Sequence, residues 1–115
     1  MQLNHLHIHV ADVDRAAAFY GRAFGLTPHV THGDVLFLRD DAGMDLALAP
    51  GTTGELPDWF HFGFRLPAPA DVRALHARLA TDGVEMAAPL SEAPDFVWFR
   101  CRDPDGHAIE VYWEP

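Results

Sequence analysis

Leu6, Ile8 and Val10 alternate with His5, His7 and His9 in the opening stretch LNHLHIHVAD, Leu3 to Asp12. A period of two belongs to a strand, which sends the three aliphatics to one face and the three imidazoles to the other. One face predicts a core, and the other is lined with histidine. The period then changes. Asp12 has the chemistry of a helix N-cap, and VDRAAAFYGRAF carries apolar residues at Val13, Ala16, Ala17, Phe19, Tyr20, Ala23 and Phe24 before Gly25. This pattern predicts a helix of about three turns, stopped by that glycine. LTPHVTH, DVLFLRD and GMDLALAP follow as short runs separated by turn residues, and read as three strands.

The second half repeats the order. WFHFGFRL alternates, with Phe60, Phe62 and Phe64 predicted on the core side and Trp59, His61, Gly63 and Arg65 on the other. PADVRALHARLATDG matches the first helix in plan, with Asp71 in the place of Asp12, Val72 of Val13 and Gly83 of Gly25, and with Leu75 and Leu79 on the buried stripe. GVEMAAP, DFVWFRCR and HAIEVYWE then supply three more strands. His5 and His61 stand 56 residues apart, Asp12 and Asp71 59, and Gly25 and Gly83 58. So steady an offset marks a duplicated unit of one helix and four strands. The expected fold is α+β, one domain spanning residues 1–115 in two tandem βαβββ modules, about 1–50 and 57–115, joined by PGTTGELP.

Composition narrows the partners. With 8 basic against 17 acidic side chains, a net charge of −9 and no Lys/Arg cluster, neither nucleic acid nor an anionic membrane is an expected partner. No apolar run approaches the ~20 residues of a membrane span. Met1 leads within two residues into the first strand, so no leader peptide is expected and a cytoplasmic location is the default reading. The single cysteine, Cys101, lies in the alternating run FVWFRC, where it reads as a buried thiol without a catalytic role. Eight histidines in so short a chain raise the question of a metal.

His5 and His61 hold nearly equivalent places in the first strand of each copy. In the last strand, HAIEVYWE, alternation sends Ile109, Val111 and Trp113 to the core and Ala108, Glu110 and Tyr112 to the opposite face, the face of the two histidines. A carboxylate between Ile109 and Val111 must be paired, protonated or metal-bound if it is buried. Two histidines and one carboxylate form a facial triad, which holds a divalent ion and leaves positions open for substrate. The ligands it requires, neutral imidazole and anionic Glu, are available at neutral pH.

LNHLHIHVADVDRAAAFYGRAFGL, DWFHFGFRL and above all RDPDGHAIEVYWEP resemble the vicinal oxygen chelate superfamily over essentially the whole chain. That superfamily includes glyoxalase I, extradiol dioxygenases, fosfomycin-resistance thiol transferases, methylmalonyl-CoA epimerases and metal-free bleomycin-binding proteins. The resemblance implies paired βαβββ modules forming a curved sheet that cups a metal site, and places the ligands on His5, His61 and Glu110. Glyoxalase I and the epimerase use a fourth ligand, Glu or Gln, on the last strand of the first module. Here the matching position is Ala47, with Asp45 the only acidic neighbour, which disfavours a four-ligand centre. Ten residues before the metal-binding Glu, the dioxygenases and fosfomycin transferases commonly carry a Tyr where this chain has Arg100. A guanidinium there suits a carboxylate or phosphonate. The bleomycin-binding proteins lack the triad that is intact here.

Other residues sharing this face complete the candidate site. His7 and His9 are read as acid–base groups beside the metal or as polar lining, His7 being the better placed. Tyr112 is read as a hydrogen-bond donor to a metal-bound oxygen, or as packing. Arg100, Trp98, Trp59, Phe37 and Arg65 are candidates to line a substrate pocket; for Arg100 and Trp98, exposure at a dimer interface is the equal alternative. His107 belongs to the turn in DPDGH and is read as fixing it, while His29, His32 and His76 read as surface or helix-flank residues. The resulting expectation is a metalloenzyme, most simply an extradiol-type dioxygenase with Fe(II), or with Mn, Zn, Ni or Co, acting on a small catecholic substrate. The alternatives are a fosfomycin-type thiol transferase, a glyoxalase-like lyase, or a protein that sequesters a drug or metabolite. The resemblance also implies a homodimer.

Overall fold

A computed structural model describes residues 1–115 as two compact units, Met1–Glu55 and Leu56–Pro115. The first unit contains β1 (His5–Val10), α1 (Val13–Phe24), β2 (Thr27–His32), β3 (Val35–Arg39) and β4 (Asp45–Pro50). Its sheet runs β1-β4-β3-β2, with β1 parallel to β4 and the remaining neighbours antiparallel. Parallel pairing of β1 with β4 requires a crossover, and α1 lies within it, packed on β4.

The helix boundaries follow from local chemistry. The Asp12 carboxylate accepts the Arg15 amide at 3.0 Å, satisfying one of the donors that a helix start leaves open. Gly25 closes the other end at φ 72°, and its amide donates to the carbonyl of Gly21 at 3.0 Å. A side chain would be strained in that left-handed conformation. Ala16, Phe19, Tyr20 and Ala23 are buried, together with Ile8 and Val10 of β1, Leu38 of β3 and Leu46 and Leu48 of β4. The helical stripe and the aliphatic strand faces thus form one core, as the change of period predicted.

The second unit repeats this plan with β5 (Phe62–Arg65), α2 (Pro69–Thr81), β6 (Met86–Ala93), β7 (Phe96–Arg102) and β8 (Ala108–Trp113), in the order β5-β8-β7-β6. Again the first strand runs parallel to the last, and the others are antiparallel. Val72, Leu79, Val97, Phe99, Cys101, Ile109 and Val111 form its core. The α+β class and the strand–helix–three-strand order of both copies are therefore as expected. No helix is long and apolar enough to cross a membrane.

Several details differ. Asp71 does not cap α2, because the helix begins two residues earlier at Pro69, with Ala68 at the cap and no side-chain cap bond. Proline suits the first helical position, where no amide partner is needed, and Asp71 instead brings negative charge to the first turn. The predicted strand from Trp59 shortens to four residues, since the Phe60 amide turns back to the carbonyl of Pro57 at 3.0 Å. On this short edge strand, Phe62 and Phe64 are half-buried rather than fully in the core, as is Phe60 before it. β6 runs past the predicted Pro89 to Ala93, with two register irregularities around Ala88.

Candidate metal centre

Glu110 sits in the middle of β8, opposite Arg100 of β7 on one side and Gly63 of β5 on the other. A Cβ on Gly63 would lie 2.9 Å from the Glu110 carbonyl oxygen, so glycine is what lets the two backbones approach. His61 lies two residues before Gly63, on the turn entering β5. Its Nδ1 is 2.9 Å from the Trp59 carbonyl oxygen. A carbonyl only accepts, so Nδ1 carries a proton, which leaves the lone pair of the neutral form on Nε2. That Nε2 lies 3.4 Å from Oε2 of Glu110. Two electron-pair donors facing each other at this distance repel unless a cation or proton is shared between them. A nitrogen and a carboxylate oxygen are also a donor pair that divalent transition metals accept.

Arg100 completes the cluster. Its Nε donates to Oε2 of Glu110 at 2.9 Å, its Nη2 lies 2.8 Å from the same oxygen as an ion pair, and its guanidinium carbon lies 5.2 Å from the centre of the Trp98 ring. The Glu110 side chain is 15% exposed, shielded enough that its charge needs these partners yet open to solvent species. Tyr112, two residues along β8, faces the same side, opposite Trp98 and Arg65 in the two flanking strands. Phe96 stacks on Trp98 and meets the Tyr112 ring at 6.0 Å. Glu110, Arg100, Trp98 and Tyr112 thus share one face, as alternation predicted. Trp59 is 73% exposed, outside the strand assigned to it. Arg65 is drawn to the carbonyl of Glu114 at 2.9 Å.

In the first unit His5 is exposed at the start of β1, with Nδ1 3.1 Å from Oδ1 of Asn4. The amide oxygen accepts, so His5 has the same tautomer as His61 and likewise keeps its Nε2 lone pair. His7 and His9 follow on the same face, their rings edge-to-face at 5.4 Å, and the His9 ring rests against Gly51. The row His7–Ala47–Phe37 across β1, β4 and β3 corresponds to Gly63–Glu110–Arg100 in the second unit. Ala47, in the place of Glu110, offers no ligand. Asp45 is held by a two-pronged bond from Arg39, at 2.7 and 2.8 Å. That hydrogen-bonded guanidinium holds the Asp45 carboxyl below its usual range, with His29 and His5 adding to the effect. Phe37 is half-buried, its ring 5.5 Å from that of His32.

His5 therefore stands in the first unit, and His61 and Glu110 in the second. Within neither unit do three His, Cys, Asp or Glu side chains converge on one point. His107 is buried and fixes its turn through Asp103 at 2.7 Å. His76 is half-buried against Phe99 rather than a surface residue, because its position on α2 faces the sheet. Burial pushes the Cys101 thiol up to about 12, which leaves it unreactive. Sequence reasoning had not identified Asn4 and the Trp59 carbonyl as partners that orient the histidines, the close approach at Gly63, or the direct hold of Arg100 on Glu110.

A family model described as the Glyoxalase/Bleomycin resistance protein/Dioxygenase superfamily matches residues 2–111. An uncharacterised protein of Pseudomonas aeruginosa is 32% identical over 98% of this chain and 89% of its own length. The structure of a possible glyoxalase from Bacillus cereus is 35% identical, with a TM-score of 0.84 over 96% of this chain and 97% of that one. A fosfomycin resistance protein from Listeria monocytogenes shares the fold at 20% identity, with a TM-score of 0.87 over 100% and 94% of the two chains.

Proposed function

The chain belongs to the glyoxalase/bleomycin resistance protein/dioxygenase superfamily, and on that premise we propose that it is a divalent-metal-dependent enzyme acting on a small molecule with two neighbouring oxygens. His61 and Glu110 hold the ion, with His5 as the third ligand and Fe(II) preferred over Mn, Zn, Ni or Co. The reaction proposed is extradiol-type oxygen insertion into a catecholic ring, carried out by a homodimer in the cytoplasm.

One observation carries this reading. Both candidate histidines donate from Nδ1 to an oxygen, His61 to the Trp59 carbonyl and His5 to Asn4, which leaves Nε2 of each as a ready ligand. Such outer partners fix the ring and its tautomer in metal-binding histidines generally. The ion, when bound, supplies Lewis acidity to the two substrate oxygens. His7 or His9 takes the proton from a substrate hydroxyl. The hydroxyl of Tyr112 donates to a substrate oxygen, while Trp98, Trp59 and Phe37 offer aromatic surface and Arg100 a positive charge.

Three ligands rather than four are favoured because Ala47 occupies the place of Glu110 on β4 and Asp45 is engaged by Arg39. The same observation weighs against a lyase of the four-ligand glyoxalase type, which the description of the Bacillus relative would suggest. A metabolite-binding protein without catalysis is the reading from another class, and the guanidinium already on Glu110 is what favours it.

The test is elemental mass spectrometry on tag-free protein and on His5→Ala, His61→Ala and Glu110→Ala. About one ion per chain, lost in all three variants, is the expected result. No metal after reconstitution turns the reading to a binding protein. Metal without oxygen uptake across a panel of catechols, for the iron-loaded protein, rejects oxygen insertion and leaves the metal site standing.

A further inference from the structure

Glu110 has two oxygens, and the one that faces His61 is the one Arg100 holds. Nε and Nη2 converge on Oε2 at 2.9 and 2.8 Å, while Nε2 of His61 approaches the same atom at 3.4 Å. A guanidinium supporting a bound metal from outside would leave the oxygen nearest the partner ligand to the ion and take the other one. Here both guanidinium nitrogens sit on the atom that an ion shared with His61 needs. We infer that Arg100 is a resident counter-cation which occupies Glu110 Oε2 in the metal-free protein and must be displaced for a divalent ion to bind, so that it sets the metal affinity of this centre. The inference rests on the metal reading proposed above.

The surroundings fit a side chain held by two partners at once. Arg100 is half-buried, opposite Glu110 in the β7–β8 register, and lies over the face of Trp98. An aromatic face holds a guanidinium without a carboxylate, so the cation can leave Oε2 without being stranded. The position corresponding to Arg100 in the first unit is Phe37, beside Ala47. Neither the sheet nor its hairpin therefore needs an ion pair in this row. Two positive species compete for one oxygen: the ion must break the charge-assisted hydrogen bond from Nε and the ion pair with Nη2, and then tolerate the freed guanidinium nearby.

The experiment compares Mn(II) and Co(II) affinity in the full-length wild-type chain, Arg100→Gln and Arg100→Lys, by competition with a chromophoric chelator and by calorimetry. Arg100→Gln is expected to bind either ion roughly 10- to 100-fold tighter than wild type, the equivalent of losing one hydrogen bond to a charged group. Arg100→Lys, which keeps the charge but not the fork, is expected to fall between. Titrating Mn(II) into wild type should also change tryptophan fluorescence as the guanidinium, already over Trp98, releases Glu110 and shifts on that ring, a change that should be smaller in Arg100→Gln. Equal affinities in wild type and Arg100→Gln, or weaker binding by Arg100→Gln, overturn the inference and make Arg100 a supporting partner, leaving the metal reading intact. Binding by none of the three proteins overturns the metal reading and this inference together. Thermal unfolding of each variant confirms that the comparison is between folded proteins.

Discussion

The turn that joins β7 to β8 is organised by one carboxylate, and Asp103→Ala should show how much depends on it. Oδ1 of Asp103 accepts the backbone amides of Asp105 and His107 at 3.0 and 2.8 Å, and Oδ2 meets Nδ1 of His107 at 2.7 Å. The Asp103 side chain is fully buried and that of His107 nearly so. Truncation would leave three donors facing a void that water reaches poorly. Each hydrogen bond to a charged acceptor is worth about 1.5–3 kcal/mol, but the three share one partner and are not additive, so a loss of about 3–5 kcal/mol is expected. Against the 5–15 kcal/mol stability typical of a domain of this kind, such a variant is marginal. Asp103→Asn keeps the acceptor for both amides, and His107 can move its proton to Nε2 to accept from the new amide, so a cost of about 1 kcal/mol is expected. Denaturant unfolding followed by circular dichroism measures both. The same turn holds β8, which carries Glu110, in register against β7; loosening it displaces Glu110 itself, so metal binding should weaken in Asp103→Ala and persist in Asp103→Asn. An alanine variant as stable as wild type would refute the argument, as would an asparagine variant as damaged as the alanine one.

Three further outcomes are expected. Gly63→Ala places a methyl group 2.9 Å from the Glu110 carbonyl oxygen; it should cost about 1–3 kcal/mol of stability and weaken Mn(II) binding by parting β5 from β8, and unchanged unfolding and metal affinity would count against that close approach. Asp45 has its carboxyl held low by Arg39, so the stability it contributes is present at neutral pH and lost as the pH falls through that lowered value. Wild type should therefore lose stability on acidification from about pH 5 to pH 2 more steeply than Arg39→Gln, and parallel curves would refute the coupling. Cys101, with its thiol pushed up to about 12 by burial, should resist a thiol-reactive disulfide reagent in native buffer and react at once in denaturant; rapid native labelling would show that the strand opens.

What could be read along the chain were the features set by near neighbours. The alternation of β1, the stripe of α1, the cap at Asp12 and the stop at Gly25 are each encoded within a few residues, and the structure has them in those places. The same parity put Glu110, Arg100, Trp98 and Tyr112 on one face. Errors arose where a local rule met a stronger one nearby. Asp71 has the chemistry of a cap, but Pro69 starts the helix before it. Trp59 and Phe60 continue an alternating pattern, but a turn at Pro57 withholds them from the strand. The orienting partners of the histidines were hidden for a different reason. One is a main-chain carbonyl two residues away and the other a neighbouring amide, and neither leaves a periodic trace.

The hold of Arg100 on Glu110 was closer to legible than it looked, because a hairpin that pairs Arg102 with Ala108 must pair Arg100 with Glu110. What the duplicated plan adds is a comparison inside the chain. The same row of the first unit carries His7, Ala47 and Phe37, with no charge at its β3 and β4 positions, although Arg39 and Asp45 pair two residues away. Bringing a carboxylate and a guanidinium out of water costs free energy that their attraction often only offsets, whereas Ala and Phe at these positions carry no such cost. Stability is then a poor reason for the second unit to keep an ion pair in a row where the first does without one. The carboxylate is better accounted for by something it binds, and the guanidinium by something it competes with.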